Sequence, residues 1–211
     1  MSRYPVPAQT IRREMTVANS RFIATLTPVF TVEQAKSFIS TIRQEFADAT
    51  HNVPAYLIGG GDSVIAHCSD DGEPSGTAGR PALAVLRGSG FGDIAVIVTR
   101  YFGGTKLGTG GLVRAYSDAV RLVVDVVPRA EKVTTHIVII TLPYRLFEKV
   151  RQVIATHHGL VIDESFSADV SITAQFPVDA FPTFQEALQE LSAGSLHAEV
   201  VETRDLLMPI K

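Results

Sequence analysis

Apolar positions along the chain alternate between a period near two and a period near 3.6, and the order of these rhythms outlines the fold. Residues 10–17 and 20–27 alternate weakly around Ala18-Asn19, which predicts a hairpin. Thr31 precedes Val32, Ala35, Phe38, Ile39, Ile42 and Phe46, an apolar face at helical spacing, and Gln34 completes a capping-box pattern. Residues 53–59 and 64–68 read as strands around a Gly59-Gly60-Gly61-Asp62 turn, and residues 77–86 as a short helix closed by Gly88-Ser89-Gly90. Residues 93–101 are almost continuously apolar, the pattern of a central strand. A helix is predicted from Gly110 to about Val127, with Leu112, Val113, Tyr116, Val120, Val123 and Val124 inward and Pro128 as its stop.

After Pro128 the rhythm restarts. Residues 134–142 read as a strand, 144–157 as a helix opened by Pro143, and 160–166 and 169–176 as two strands. Residues 180–191 then read as a helix ending at Gly194, and 196–203 as a last strand. The order β-α-β-β-α-β is the ferredoxin-like motif. The fold class expected is therefore α+β in two domains, residues 1–130 and 131–211, with 127–134 as the linker.

Composition sharpens this picture at one place. Of the 16 glycines, 14 lie between Gly59 and Gly111, so one stretch of backbone needs unusual conformations or close approach. Hydrophobic residues make up 45% and charged residues 19%, the balance of a folded globular chain rather than a disordered one. The net charge is −3, so bulk positive charge does not drive any nucleic-acid binding and a local patch is needed. Residues 1–127 carry 12 basic and 11 acidic groups, against 7 and 11 in residues 128–211, which points a basic surface toward the first part. Cys68 is alone, which excludes an intrachain disulfide and a cysteine-based zinc site. The first residues lack the apolar core of a signal peptide, and no apolar run is long enough to span a bilayer. A cytoplasmic protein without membrane contact is the expectation.

Two segments carry candidate chemistry. From Arg100 to Leu112 a buried strand runs into a glycine loop and then a helix. Free N–H groups at a helix N-terminus attract anions, and glycines let a phosphate approach them. Candidate phosphate or nucleic-acid contacts are Arg80, Arg100, Tyr101, Gly103, Gly104, Lys106, Gly108, Gly110, Gly111 and Arg114. The pattern is neither a Walker loop nor a dinucleotide fingerprint, since Val113 stands where a third glycine would fall. The other reading of these glycines is tight turning and close helix–sheet packing. The second segment runs from Ser69 to Pro81 and holds Asp70, Asp71 and Glu73. Three carboxylates in four residues suit Mg²⁺ or Ca²⁺, or else an acidic turn whose Asp and Thr77 side chains cap backbone groups. The turn is the expectation: a loop that supports the glycine loop and orients Arg80 beside it, with no metal and no cofactor. His51 and His67, the latter beside Cys68, allow a metal site or ordinary hydrogen bonding, and the second is expected.

Together, residues 69–81 and 100–116, with Ser20-Arg21-Phe22-Ile23 and His51-Asn52, resemble the signature of the IMPACT family of translation regulators. The likeness covers about residues 18–127, and the remainder resembles the small C-terminal domain of bacterial members. It implies a first domain like domain IV of elongation factor G, an arrangement shared with ribonuclease PH and GHMP-type kinases. It implies a second domain like the ferredoxin-like C-terminal domain of elongation factor G. It also implies translation-linked contact with RNA or the ribosome and no assigned catalytic residue. Eukaryotic members carry an extra N-terminal domain that docks on a co-activator of the amino-acid-starvation kinase. Only 19 residues precede Ser20, so that partner is not carried over. Many relatives have Cys where Val53 follows the His-Asn pair here, which weakens metal or thiol chemistry at His51. Two functions remain: a non-enzymatic RNA- or ribosome-binding factor, or an enzyme holding a small phosphorylated substrate at the glycine loop with Asp70 or Asp71 as base or metal ligand.

Overall fold

A computed structural model describes residues 4–60 and 63–209. In chain order the elements are β1 (Pro5–Pro7), β2 (Ile11–Val17), β3 (Ser20–Pro28), α1 (Val32–Glu45), β4 (His51–Gly60), β5 (Ser63–Cys68), α2 (Gly79–Gly88), β6 (Ile94–Tyr101) and α3 (Gly108–Val124). There follow β7 (Arg129–Leu142), a single 3₁₀ turn at Tyr144–Leu146, α4 (Phe147–Thr156), β8 (Leu160–Phe166), β9 (Val170–Pro177), α5 (Phe181–Ser192) and β10 (Glu199–Pro209). The chain forms two compact units, one of residues up to Lys132 with those from Leu207 on, the other of Val133–Leu206.

In the first unit the sheet order is β2-β3-β6-β4-β5, and β6 is central as its apolar run predicts. The β2–β3 hairpin turns on Ala18 and Asn19, with φ of 45° and 66°. Two consecutive positive φ values suit the right-handed twist of the strands they join. The sheet is covered on both faces. Phe22, Leu26, Val53, Ile94, Val96 and Val98 pack with Ala82 and Leu86 of α2 and Leu112, Tyr116, Val120 and Val123 of α3. Tyr56 and Ala95 face the other way, with Val29 and Ala35, onto α1. Half of the expected α1 capping box forms: Thr31 Oγ1 accepts from the Gln34 N–H, whereas Gln34 Oε1 accepts from the N–H of Phe30, one residue before the cap. Residues Gly61 and Asp62 of the expected turn lie outside the described residues.

The second unit runs strand, helix, two strands, helix, strand, with sheet order β10-β7-β9-β8. Its core packs Val138, Ile140, Leu142, Ile172 and Phe176 against Val150 and Ile154 of α4 and Phe184 and Leu188 of α5.

The expected linker is the clearest difference. Residues 129–134 already belong to β7, with Ala130 and Thr135 buried between exposed Arg129, Lys132 and Thr134. The strand begins early because Pro5, Val6 and Pro7 of β1 pair with Glu131, Ala130 and Arg129. Two prolines hide β1 from a sequence reading, and an edge position tolerates them. Smaller shifts follow from local geometry: α3 starts at Gly108 rather than Gly110, and the helix expected at 144–157 opens with the 3₁₀ turn.

Candidate functional site

The site forms where β6 ends. Strand alternation sends Arg100 to the α2/α3 face and Tyr101 to the α1 face. Arg100 is 5% exposed, which makes its charge partners decisive. Its Nη1 donates to Glu73 Oε1 at 2.6 Å and its Nη2 to Ser20 Oγ at 3.2 Å. The guanidinium lies 5.3 Å from the ring centre of Phe22 and 5.5 Å from that of Phe102. The Tyr116 hydroxyl also donates to Glu73 Oε1, at 2.7 Å. Burial and then that bond to a carboxylate hold the phenol far above its ordinary range. His51 Nδ1 donates to the Asp71 carbonyl at 2.8 Å, and His51 Nε2 sits 3.8 Å from Glu73 Oε2.

The acidic segment therefore packs against the glycine loop through Glu73. Asp70 performs a different task. Its carboxylate accepts N–H bonds from Gly76, Ala78 and Gly79, capping the start of α2 from a distance. Burial acts to raise its pKa, but the three N–H groups and nearby Arg80 together hold it below the usual range. Asp71 accepts from Arg43 at 2.5 Å and from the Asn52 N–H at 2.6 Å. Thr77 closes a turn onto the Pro74 carbonyl.

The glycines divide by what surrounds them. A Cβ on Gly103 would lie 1.9 Å from the Asn19 carbonyl oxygen, so this glycine exists for packing onto the hairpin turn. On Gly111 it would press on Leu107 at 3.1 Å. Gly104, Gly108 and Gly110 have nothing within 4 Å of a Cβ. Gly108, at φ +71°, needs the left-handed conformation to start α3, whereas Gly110 has neither that need nor a neighbour. Its backbone is simply left open at the helix N-terminus.

These parts enclose an open-sided cleft of about 360 Å³, whose lining includes Glu73, Pro74, Arg100, Phe102, Lys106, Leu107, Gly108 and Leu112. Of the candidates from the sequence, Arg100, Glu73, Lys106 and Gly108 meet here. Tyr101 does not: its hydroxyl donates to Asp48 on the far face, a bond that with burial raises its pKa. Arg80 lies near Asp70 and Cys68, where its charge favours their ionised forms, and is outside the cleft lining. Arg114 is exposed on α3, outside the cleft lining. Among the described residues, no three His, Cys, Asp or Glu side chains gather as a metal would require.

A family model described as the Impact N-terminal domain matches residues 18–124. The chain belongs to the IMPACT family. A second model, described as a domain of unknown function (DUF1949), matches residues 140–195. The chain is 34% identical over 203 residues to the IMPACT family member YigZ of Escherichia coli (strain K12), covering 96% of this chain and 100% of that one. It is 36% identical over 181 residues to YvyE of Bacillus subtilis (strain 168), covering 86% and 83%. A crystal structure described as that of a hypothetical protein matches at 34% identity and a TM-score of 0.65, covering 96% and 98%. The mixed α/β, two-domain fold with antiparallel sheets is that of the family.

The site of this IMPACT-family chain also includes residues that sequence reasoning missed. Ser20, fully buried, ties Arg100 and the Gly103 N–H to the hairpin. Tyr116 completes the bonding of Glu73, and Phe102 supplies an exposed aromatic wall. Ser20 and Tyr116 stand inside the segments that resemble the family, but their register to Arg100 and Glu73 arises only from packing. Phe102 had a local signal, an aromatic residue directly before Gly103-Gly104.

Proposed function

We propose that the protein is a non-enzymatic, cytoplasmic factor in translation regulation that associates with RNA or the ribosome and contacts phosphate at the α3 N-terminus. The observation that carries this reading is the open backbone at Gly104, Gly108 and Gly110, with Gly108 and exposed Lys106 lining the cleft that Arg100 also lines. Helix N–H groups and a flanking lysine suit a phosphate oxygen, and they need no positive net charge on the whole chain. The same reading treats the first domain, to about residue 130, as similar to domain IV of elongation factor G. It treats the second as ferredoxin-like, which the strand order β10-β7-β9-β8 supports. No described helix is long and apolar enough to cross a membrane.

The test is charge reversal at Lys106→Glu with Arg114→Glu, both exposed. RNA recovered by crosslinking falls, and the slope of binding against salt drops by about one for each phosphate that is no longer neutralised. Wild-type binding by the double variant across several salt concentrations refutes the reading. The cleft then passes to the alternative, an enzyme holding a small phosphorylated substrate.

A further inference from the structure

We propose that the cleft seats one unpaired nucleobase, stacked on Phe102 and read at its edge by Arg100, with the adjoining phosphate at the α3 N-terminus. The inference rests on the phosphate reading above and adds the base to it. Three features call for more than a phosphate. First, much of the lining is apolar, made by Pro74, Leu107, Leu112 and Phe102. A phosphate needs no apolar wall, whereas a base does, because its flat faces are poorly hydrated. Phe102 keeps 47% of its surface exposed while Arg100 packs over its ring. The exposed part of that ring is a stacking platform with the guanidinium close by.

Second, Arg100 Nε is buried and, among the described residues, donates to nothing. Its neighbours Nη1 and Nη2 are both engaged, by Glu73 and Ser20. A buried donor without a partner is costly, and a carbonyl or ring nitrogen on a base edge would supply the acceptor. Third, a volume of about 360 Å³ lies at the small end of ligand clefts, near 300–1,000 Å³, which suits one nucleotide rather than several. A paired base is stacked inside its helix and cannot reach such a cleft. The ligand is therefore a nucleotide in a single-stranded or splayed segment of RNA, or a free nucleotide with the same chemistry.

The experiment uses the full chain and fluorescence anisotropy with three probes: single-stranded oligouridylate, an RNA hairpin stem without free bases, and uridine 5′-monophosphate as competitor. Phe102→Ala raises the dissociation constant for the single strand roughly 5- to 100-fold, as for the loss of one stacked base, while the salt slope stays as in the wild type. Phe102→Tyr restores binding, and Phe102→Leu, which keeps the apolar bulk, does not. The stem binds weakly to all variants. Competition by uridine 5′-monophosphate that disappears in Phe102→Ala assigns the cleft to a free nucleotide. Its absence, with strand binding intact, assigns the cleft to RNA. If Phe102→Ala, folded by circular dichroism, binds the single strand as the wild type does while Lys106→Glu/Arg114→Glu binds weakly, the base seat is refuted and the phosphate reading stands. If no probe binds the wild type, both fail.

Discussion

Glu73→Gln is the sharpest probe of the site's foundation. The Glu73 and Arg100 side chains are 3% and 6% exposed, and their 2.6 Å contact pairs two charges away from water. The substitution removes the negative charge and leaves the guanidinium buried without compensation. Breaking one side of a buried pair costs about 3–5 kcal/mol. Arg100 and Tyr116 both donate to Oε1, and an amide oxygen in its place keeps two lone pairs for them, so only the charge is lost and the lower end of that range, about 3 kcal/mol, is expected. That is a large share of a domain stability of about 5–15 kcal/mol. Removing both charges, as in Glu73→Gln with Arg100→Met, avoids the stranded charge. The double loss falls short of the summed single losses by about 2 kcal/mol.

Urea titration followed by tyrosine fluorescence measures this in the right place. The chain has no Trp, and Tyr4, Tyr56, Tyr101 and Tyr116, four of its five tyrosines, lie in the first unit. The midpoint shifts while the slope with urea stays constant. A Glu73→Gln loss below about 1 kcal/mol, the size of an exposed pair, contradicts a dry ion pair. Strict additivity in the double variant contradicts the coupling of the two groups.

Gly103→Ala destabilises the first unit, because its Cβ would strike the Asn19 backbone, whereas Gly110→Ala stabilises it by up to about 1 kcal/mol and weakens phosphate binding; thermal melts paired with a binding assay separate the two. Asp70→Asn costs about 1 kcal/mol, because the amide keeps one oxygen for the Ala78 and Gly79 N–H groups but turns an NH₂ donor toward the Gly76 N–H. Because the Asp70 pKa is lowered on folding, its stabilisation is present above the ordinary carboxylate range and is lost as pH falls through the lowered value, so the variant shows a shallower acid limb in pH-dependent melts. Tyr4, pushed up to about 12 by burial and by its bond to Asp93, acts in the opposite direction. Its contribution is full below pH 10 and lost as pH rises toward 12, and Tyr4→Phe abolishes that alkaline loss in stability measurements.

Most of the elements were legible because each carries its own period. The hairpin at Ala18-Asn19, the capped α1, the central β6 and the strand–helix order of the second unit follow from spacing alone. What the sequence hides is pairing between distant segments. Strand β1 is unreadable locally, since Pro-Val-Pro becomes a strand only when residues 129–131 present an edge. The first half of β7 is masked for the same reason, with polar residues on its open positions. For the site, alternation along β6 was enough to part Arg100 from Tyr101, and that rule could have excluded Tyr101 beforehand. No spacing rule, by contrast, says that Glu73 rather than Asp70 reaches Arg100. That choice is made by Asp70 meeting the amides of α2 first.

This division of labour among the carboxylates resolves the main tension in the site. Three acidic residues within four positions look hostile to phosphate and hospitable to a cation. Each is instead committed internally: Asp70 to the α2 amides, Asp71 to Arg43 and the Asn52 N–H, and Glu73 to Arg100 and Tyr116. A carboxylate held by several donors has few lone pairs left for a metal, and its field is largely cancelled by the donors that hold it. The cleft therefore shows an incoming ligand the positive end of α3 and Lys106, with the nearest acid already neutralised by Arg100. On that account Arg100 acts twice. Its Nη groups bind Glu73 of the acidic segment and Ser20 of the hairpin, and its buried Nε donates to nothing among the described residues.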